Sequence, residues 1–168
     1  MADTKYLEAL IDAIKFVYER SDGYFKTTEG RERSMVFRIA HNLAHNIENK
    51  EVFVDIEPTR CERKTKRDSE GNPIIPDLII HKRIDTGYVA VEFKCSRRYW
   101  KNDFNKLKCL TTPEEQREND NSSTPHYEIG VFVYLTDNKN DIQIRIYENG
   151  IDTTENYLNG ILKGFKYA

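Results

Sequence analysis

A chain of 168 residues is the length of one domain, and 26 Lys plus Arg against 28 Asp plus Glu leave a formal charge of −2, which excludes a uniformly basic nucleic-acid coat. Ten Tyr and eight Phe within a 38% hydrophobic composition supply enough apolar surface for a packed core, so a disordered chain is excluded as well. No apolar run approaches the ~20 residues of a membrane helix, so no membrane partner is expected.

Leu7, Leu10, Ile11, Ile14, Val17 and Tyr18 recur at helical spacing and predict an amphipathic helix over residues 4–20, ended by Ser21-Asp22-Gly23. A second helix is predicted from about Arg31 to Asn46, with Val36, Ile39, Ala40, Leu43 and Ile47 as its apolar face. Val52, Val54 and Ile56 alternate with polar neighbours, the pattern of a half-buried strand, which Pro58 closes. Residues 60–73 are a charged turn region whose first half is basic. Leu78-Ile79-Ile80 opens a strand, Asp85-Thr86-Gly87 is a turn signal, and Tyr88 to Lys94 returns as the second arm of a hairpin. Trp100, Phe104, Leu107 and Leu110 mark a helix over residues 99–110, and the polar segment 112–126 is a long loop. Ile129 to Leu135 is apolar on both faces, as a central strand requires. Asp137 to Asn140 turns the chain into a strand carrying Ile142, Ile144 and Ile146 on one face, and a short helix is expected over Leu158 to Leu162. The order α-α-β-β-β-α-β-β, with strand 88–94, helix 99–110 and strand 127–135 as a right-handed crossover, predicts a single α/β domain over 1–168 with a mixed sheet.

The Met1 to Lys15 stretch has no basic start followed by an apolar segment, so no secretory signal is expected. Cys61, Cys95 and Cys109 show neither CxxC nor zinc spacing, and an odd count suits reduced thiols in a cytoplasmic protein.

The chemistry concentrates in Pro76-Asp77-Leu78-Ile79-Ile80 and Val91-Glu92-Phe93-Lys94. Residues two apart in a strand share a face, so Glu92 and Lys94 point one way, Val91 and Phe93 the other. With Asp85 and Thr86 at the hairpin tip, Asp77 falls opposite Lys94 and diagonal to Glu92, roughly 5–8 Å away. Two carboxylates that close repel unless a positive charge stands between them, and Mg²⁺ meets that need while keeping sites for water and a phosphate oxygen. On the second helix, with Glu32 at zero and each residue advancing the angle by one helical step, Val36 lies at ~40°, Ile39 at ~340°, Leu43 at ~20° and Ile47 at ~60°. Glu32 therefore opens the core-facing stripe, where an unpaired carboxylate is costly.

Pro76-Asp77 followed by Glu92-Phe93-Lys94, with a helix glutamate upstream and the order helix, strand, hairpin, helix, strand, resembles the PD-(D/E)XK nuclease superfamily. Within it, the chain looks like small, poorly characterised prokaryotic or phage-type members. The resemblance spans roughly residues 30–147 and leaves out helix 4–20. It implies a restriction-endonuclease-like αβββαβ core with a mixed central sheet flanked by helices, plus an extra N-terminal helix. It further implies Mg²⁺-dependent hydrolysis of DNA phosphodiesters, with Mn²⁺ as a substitute. Asp77, Glu92 and Glu32 would be the metal ligands and Lys94 the catalytic lysine. Duplex cleavage often uses two sites, which suits a homodimer. The alternative is a catalytically inactive module of this fold that binds nucleic acid or a partner protein. An unrelated α/β binding domain would lack the metal site altogether.

Other charged residues invite simpler explanations. Arg63, Lys64, Lys66 and Arg67, with Arg97, Arg98 and Lys101, form two basic segments that suit phosphate contacts, although a solvated face explains them equally. Lys106 and Lys108 extend the second segment, with Asp103 the one acid among them. Glu57 is expected to pair with the basic loop rather than to bind metal. His41 and His45 are spaced i, i+4 but lie opposite the apolar stripe, so they belong to a solvated face. Tyr99 and Trp100 suit base stacking, but Trp100 is expected to pack its helix onto the sheet.

Overall fold

A computed structural model describes residues 4–20, 32–57, 60–61, 64–65, 74–82, 87–96, 98, 100–116 and 126–168. Two helices come first, α1 (Lys5–Arg20) and α2 (Glu32–Asn46). They are followed by β1 (Val52–Ile56), two short strands β2 (Arg60–Cys61) and β3 (Lys64–Thr65), β4 (Leu78–Lys82) and β5 (Gly87–Lys94). Helix α3 (Trp100–Thr111) leads to β6 (Tyr127–Tyr134), β7 (Gln143–Glu148), β8 (Ile151–Asp152) and β9 (Lys166–Tyr167). The fold is α/β, with a mixed seven-stranded sheet in the order β1-β4-β5-β6-β7-β8 and β9 added alongside β7. β1, β4 and β5 run as an antiparallel meander, and β5 pairs in parallel with β6 across α3.

Strand alternation divides the sheet into two differently furnished faces. Val89, Val91 and Phe93 of β5, Ile129, Val131 and Val133 of β6, and Ile144 and Ile146 of β7 join α1 and α2 in one apolar cluster. The opposite face carries Ile79, Ala90, Phe132 and Tyr147, and receives Leu107 and Leu110 of α3. Gly130 permits that close approach: a Cβ there would stand 3.0 Å from Thr111 Cγ2 and 3.3 Å from Leu107 Cβ. Trp100 fixes the start of α3. Its Nε1 donates to the Ser96 carbonyl at 2.7 Å, and its ring lies against Phe132 and Tyr134, with centroids 5.1 and 4.8 Å away. The expected packing role of Trp100 is thus met.

Three local expectations are corrected. The pairs Leu78↔Val91, Ile79↔Ala90 and Ile80↔Val89 set Asp77 in line with Glu92 rather than with Lys94. The offset is already present nearer the tip, where His81 pairs with Gly87, and the one-residue register shift between Ile80 and His81 reduces it to two residues. Because the displacement at Asp77 is two residues, the shared facing of Asp77, Glu92 and Lys94 is preserved. Residues 60–73 are not simply a turn, since β2 and β3 pair antiparallel within them. No α-helix forms over Leu158 to Leu162: a 3-10 turn covers Thr154–Tyr157, and the chain then returns as β9, parallel to β7. The hairpin tip at Asp85 and Thr86 and the helix stop at Ser21 to Gly23 lie outside the described residues.

Candidate functional site

On β5, Glu92 follows Val91 and precedes Phe93, yet all three have 0% exposure. A carboxylate so placed demands compensation, because burying an unpaired charge is costly. Asp77, at the entry to β4, meets it on the α3 face of the sheet. Its Oδ2 accepts the Phe93 N–H at 2.7 Å, which locks the carboxylate beside the β5 backbone. Burial raises the Asp77 carboxyl above its ordinary range, against the opposing effects of that hydrogen bond and of Lys94 and Lys106. Burial, followed by repulsion from Asp77, pushes Glu92 up to about 8.

Glu32 reaches the same region from the other side. It begins α2, and its Oε2 accepts the Cys95 N–H at 2.8 Å, just past the end of β5. Burial raises its carboxyl, while the Cys95 hydrogen bond and the Lys94 charge act the other way. Burial and then the Glu32 charge push the Cys95 thiol up to about 12, so it remains protonated at neutral pH. The helix glutamate therefore does not point into bulk solvent.

Lys94 is half-buried on the Glu92 face, its Nζ 3.6 Å from Asp103 Oδ2. Lys106 Nζ stands 3.3 Å from both Glu92 oxygens and 3.4 Å from Asp103 Oδ1. Burial lowers the Lys106 ammonium's affinity for its proton, but the Glu92 and Asp103 charges outweigh it and the net shift is upward. Asp103 is 3% exposed, and its Oδ2 makes no hydrogen bond.

Asp103 and Lys106 are the members that sequence reasoning missed, having been grouped with a basic segment suited equally to phosphate contacts or to a solvated face. A signal did exist. With Phe104 at zero, Leu107 lies at ~300°, Leu110 at ~240° and Asp103 at ~260°, inside the apolar stripe. Lys106, at ~200°, sits at its edge.

Counted together, Glu32, Asp77, Glu92 and Asp103 face Lys94 and Lys106, so full ionisation would leave two negative charges. Among the described residues no three His, Cys, Asp or Glu side chains are already gathered as metal ligands. The carboxylate oxygens are turned instead to backbone N–H groups and to Lys106. The donor set is nonetheless what a hard divalent cation takes: carboxylate oxygens, with a charge surplus equal to its own.

The remaining candidates are spread more widely. Arg98 and Lys101 are exposed at the start of α3. Lys64 belongs to β3, while Arg63, Lys66, Arg67, Arg97 and Tyr99 lie outside the described residues. Glu57, with a backbone φ of 46°, pairs with Arg33 of α2 at 3.3 Å, while the side chains of the basic loop expected to meet it lie outside the described residues. His41 and His45 are exposed, as their helical positions require. Among the described residues no helix is long and apolar enough to cross a membrane. Comparison with protein-family models gives no match, and comparison with curated proteins gives none either.

Proposed function

We propose that this chain is a metal-dependent nuclease of the PD-(D/E)XK type, with a restriction-endonuclease-like core, that hydrolyses DNA phosphodiester bonds. The observation that carries this is the meeting of Asp77, Glu92 and Lys94 on one face of the β4–β5 hairpin, with Glu32 brought to the end of β5 by its bond to Cys95. The succession α2, β1, β4, β5, α3, β6, with its antiparallel meander and parallel crossover, supports the same assignment.

Asp77 and Glu92, with Glu32, would hold Mg²⁺, or Mn²⁺ in its place. When bound, the ion supplies Lewis acidity and a lowered pKa for water. The chain's own residues supply position and charge. The Phe93 N–H fixes the Asp77 carboxylate, so the site keeps its shape without relying on a long flexible side chain. Lys94 Nζ donates to the attacking water and to the phosphate oxygen on which charge develops, and the low-dielectric surroundings of β5 strengthen that contact. Arg98 and Lys101, exposed at the start of α3, would neutralise neighbouring phosphates.

The test is incubation of the purified protein with supercoiled plasmid and with single-stranded DNA, in Mg²⁺, Mn²⁺ or EDTA. Cleavage that needs the divalent ion and disappears in Lys94→Ala is the expected result. Absence of cleavage under every metal, with DNA binding indifferent to EDTA, would replace the nuclease with a binding module. Cleavage that survives in Lys94→Ala, once contaminating nuclease is removed, would place the chemistry elsewhere.

A further inference from the structure

The proposed site leaves two of its charged neighbours without a task. Asp103 comes from α3, not from the hairpin, and is almost wholly buried. One of its oxygens is buried without any hydrogen bond, which is rare for a carboxylate and asks for a missing partner. Lys94 Nζ, 3.6 Å from that oxygen, is beyond hydrogen-bond reach. Lys106 spans the gap between Asp103 and Glu92, touching Oδ1 of one and both oxygens of the other at 3.3–3.4 Å. An ammonium with long contacts to three carboxylate oxygens fills a cation's place with poor geometry. Its four-carbon stem is only half-buried, so a rotation can carry the charge outward to solvent.

We propose that Asp103 is a further ligand of the divalent cation and that Lys106 is an internal counter-ion competing with that cation for the Glu92 and Asp103 oxygens. The proposal rests on the assignment of this cluster as a cation site and adds to it a fourth carboxylate and a built-in competitor. In the cation-free protein, once Glu92 is ionised, Lys106 keeps two buried carboxylates from facing each other unscreened. When a divalent ion arrives, the ammonium must leave, because a like charge within a few ångströms opposes binding. The displaced Lys106 then stands at the rim of the site, on the same helix as the exposed Lys101, where a nucleic-acid phosphate offers it a new partner.

The test measures Mn²⁺ binding to the full chain without DNA, by titration calorimetry and by loss of the free-ion resonance signal. The variants are Lys106→Met, which keeps the stem, and Asp103→Asn, which keeps the shape, with Glu32→Gln as a comparison. Circular dichroism establishes that each is folded. Lys106→Met should bind Mn²⁺ about tenfold more tightly or better, because the competing charge is gone. Asp103→Asn should bind it roughly 10- to 100-fold more weakly. Should Asp103→Asn prove too unstable, the Lys106→Met arm decides alone. Unchanged or weaker affinity in Lys106→Met overturns the competitor, and unchanged affinity in Asp103→Asn overturns the ligand. If those two fail while Glu32→Gln still weakens Mn²⁺, the nuclease assignment survives without this inference. If neither the wild type nor Lys106→Met binds Mn²⁺, both fall.

Discussion

Phe93 and Glu92 are consecutive residues of β5, equally hidden from solvent, and they face opposite surroundings. Phe93 enters the dry cluster between the sheet and the α1/α2 layer. Glu92 enters the α3 side, where Asp77, Asp103, Lys94 and Lys106 surround it and Phe132 and Trp100 lie beyond. One face of the sheet is thus filled for cohesion, while the other holds a knot of charge inside an otherwise apolar layer. The difference teaches that burial alone does not tell a structural position from a chemical one. What separates them is whether the buried group adds cohesion or costs it.

The largest expected effect tests the cohesive side. Phe93→Ala should lower stability by about 3–5 kcal/mol, the usual cost of an aromatic cavity, measured by urea denaturation. Its neighbour should behave in the opposite way. Glu92→Gln relieves the repulsion from Asp77 and Asp103, so thermal denaturation without divalent ions should show an unchanged or higher midpoint. A loss in Glu92→Gln as large as that in Phe93→Ala would make Glu92 a structural residue and erase the contrast.

Next in size is the loss of chemistry without loss of fold. Asp77→Asn keeps an oxygen to accept the Phe93 N–H and removes only the charge. It should reduce cleavage by about 10²-fold or more, as removal of one charge-stabilising group commonly does, while the denaturation midpoint stays near that of the wild type. Equal losses of activity and stability would show that the carboxylate acts through the fold alone.

The pH dependence follows from the same charge surplus. Burial, followed by repulsion from Asp77, raises the Glu92 carboxyl in the folded state from the ordinary 4.5 to about 8. Between those values the native state binds more protons than the unfolded chain, so stability falls as pH rises, by at most about 1.4 kcal/mol per unit for one group. Asp77 and Glu32, also raised, add to the same direction. Cation-free protein should therefore melt lower at pH 8 than at pH 5, and Glu92→Gln should flatten that slope. Mg²⁺, binding the ionised carboxylates, should recover stability mainly at the alkaline end. A slope unchanged in Glu92→Gln would mean that other groups set it.

Much of the cohesive side was legible in the sequence, because apolar residues at period two or 3.6 say which way they point. That same alternation placed Glu92 and Lys94 on one face, and Glu32 on the stripe of α2. The partner of Asp77 was misplaced by two residues because the strands pair with His81 opposite Gly87, a register that the residue types in the turn do not specify. Asp103 lay openly inside the apolar stripe of α3, but the Lys and Arg residues around it masked it as one more solvated charge. The pairing of Lys106 with Glu92 was beyond sequence reasoning, since it depends on how closely α3 settles on the sheet, and Gly130 helps set that distance.

The smallest effect expected is the most specific to the charged face. Arg98 and Lys101 are exposed at the start of α3, so replacing both with Ala should change stability by no more than about 0.5 kcal/mol. If they touch phosphates, the slope of log affinity against log salt on duplex DNA should fall by roughly 0.9 for each phosphate no longer neutralised, with little dependence on DNA sequence. The same substitutions should leave cation binding almost untouched, because their charges stand in water and are screened within about 10 Å at moderate salt. Lys94→Ala should behave differently, abolishing cleavage while lowering the salt slope by no more than one phosphate's worth. Fluorescence anisotropy at several salt concentrations separates the cases. A slope unaltered by the Arg98 and Lys101 double substitution would return both to an ordinary solvated surface. The nucleic-acid path would then have to approach the carboxylates from another direction, past Glu32 and the start of α2.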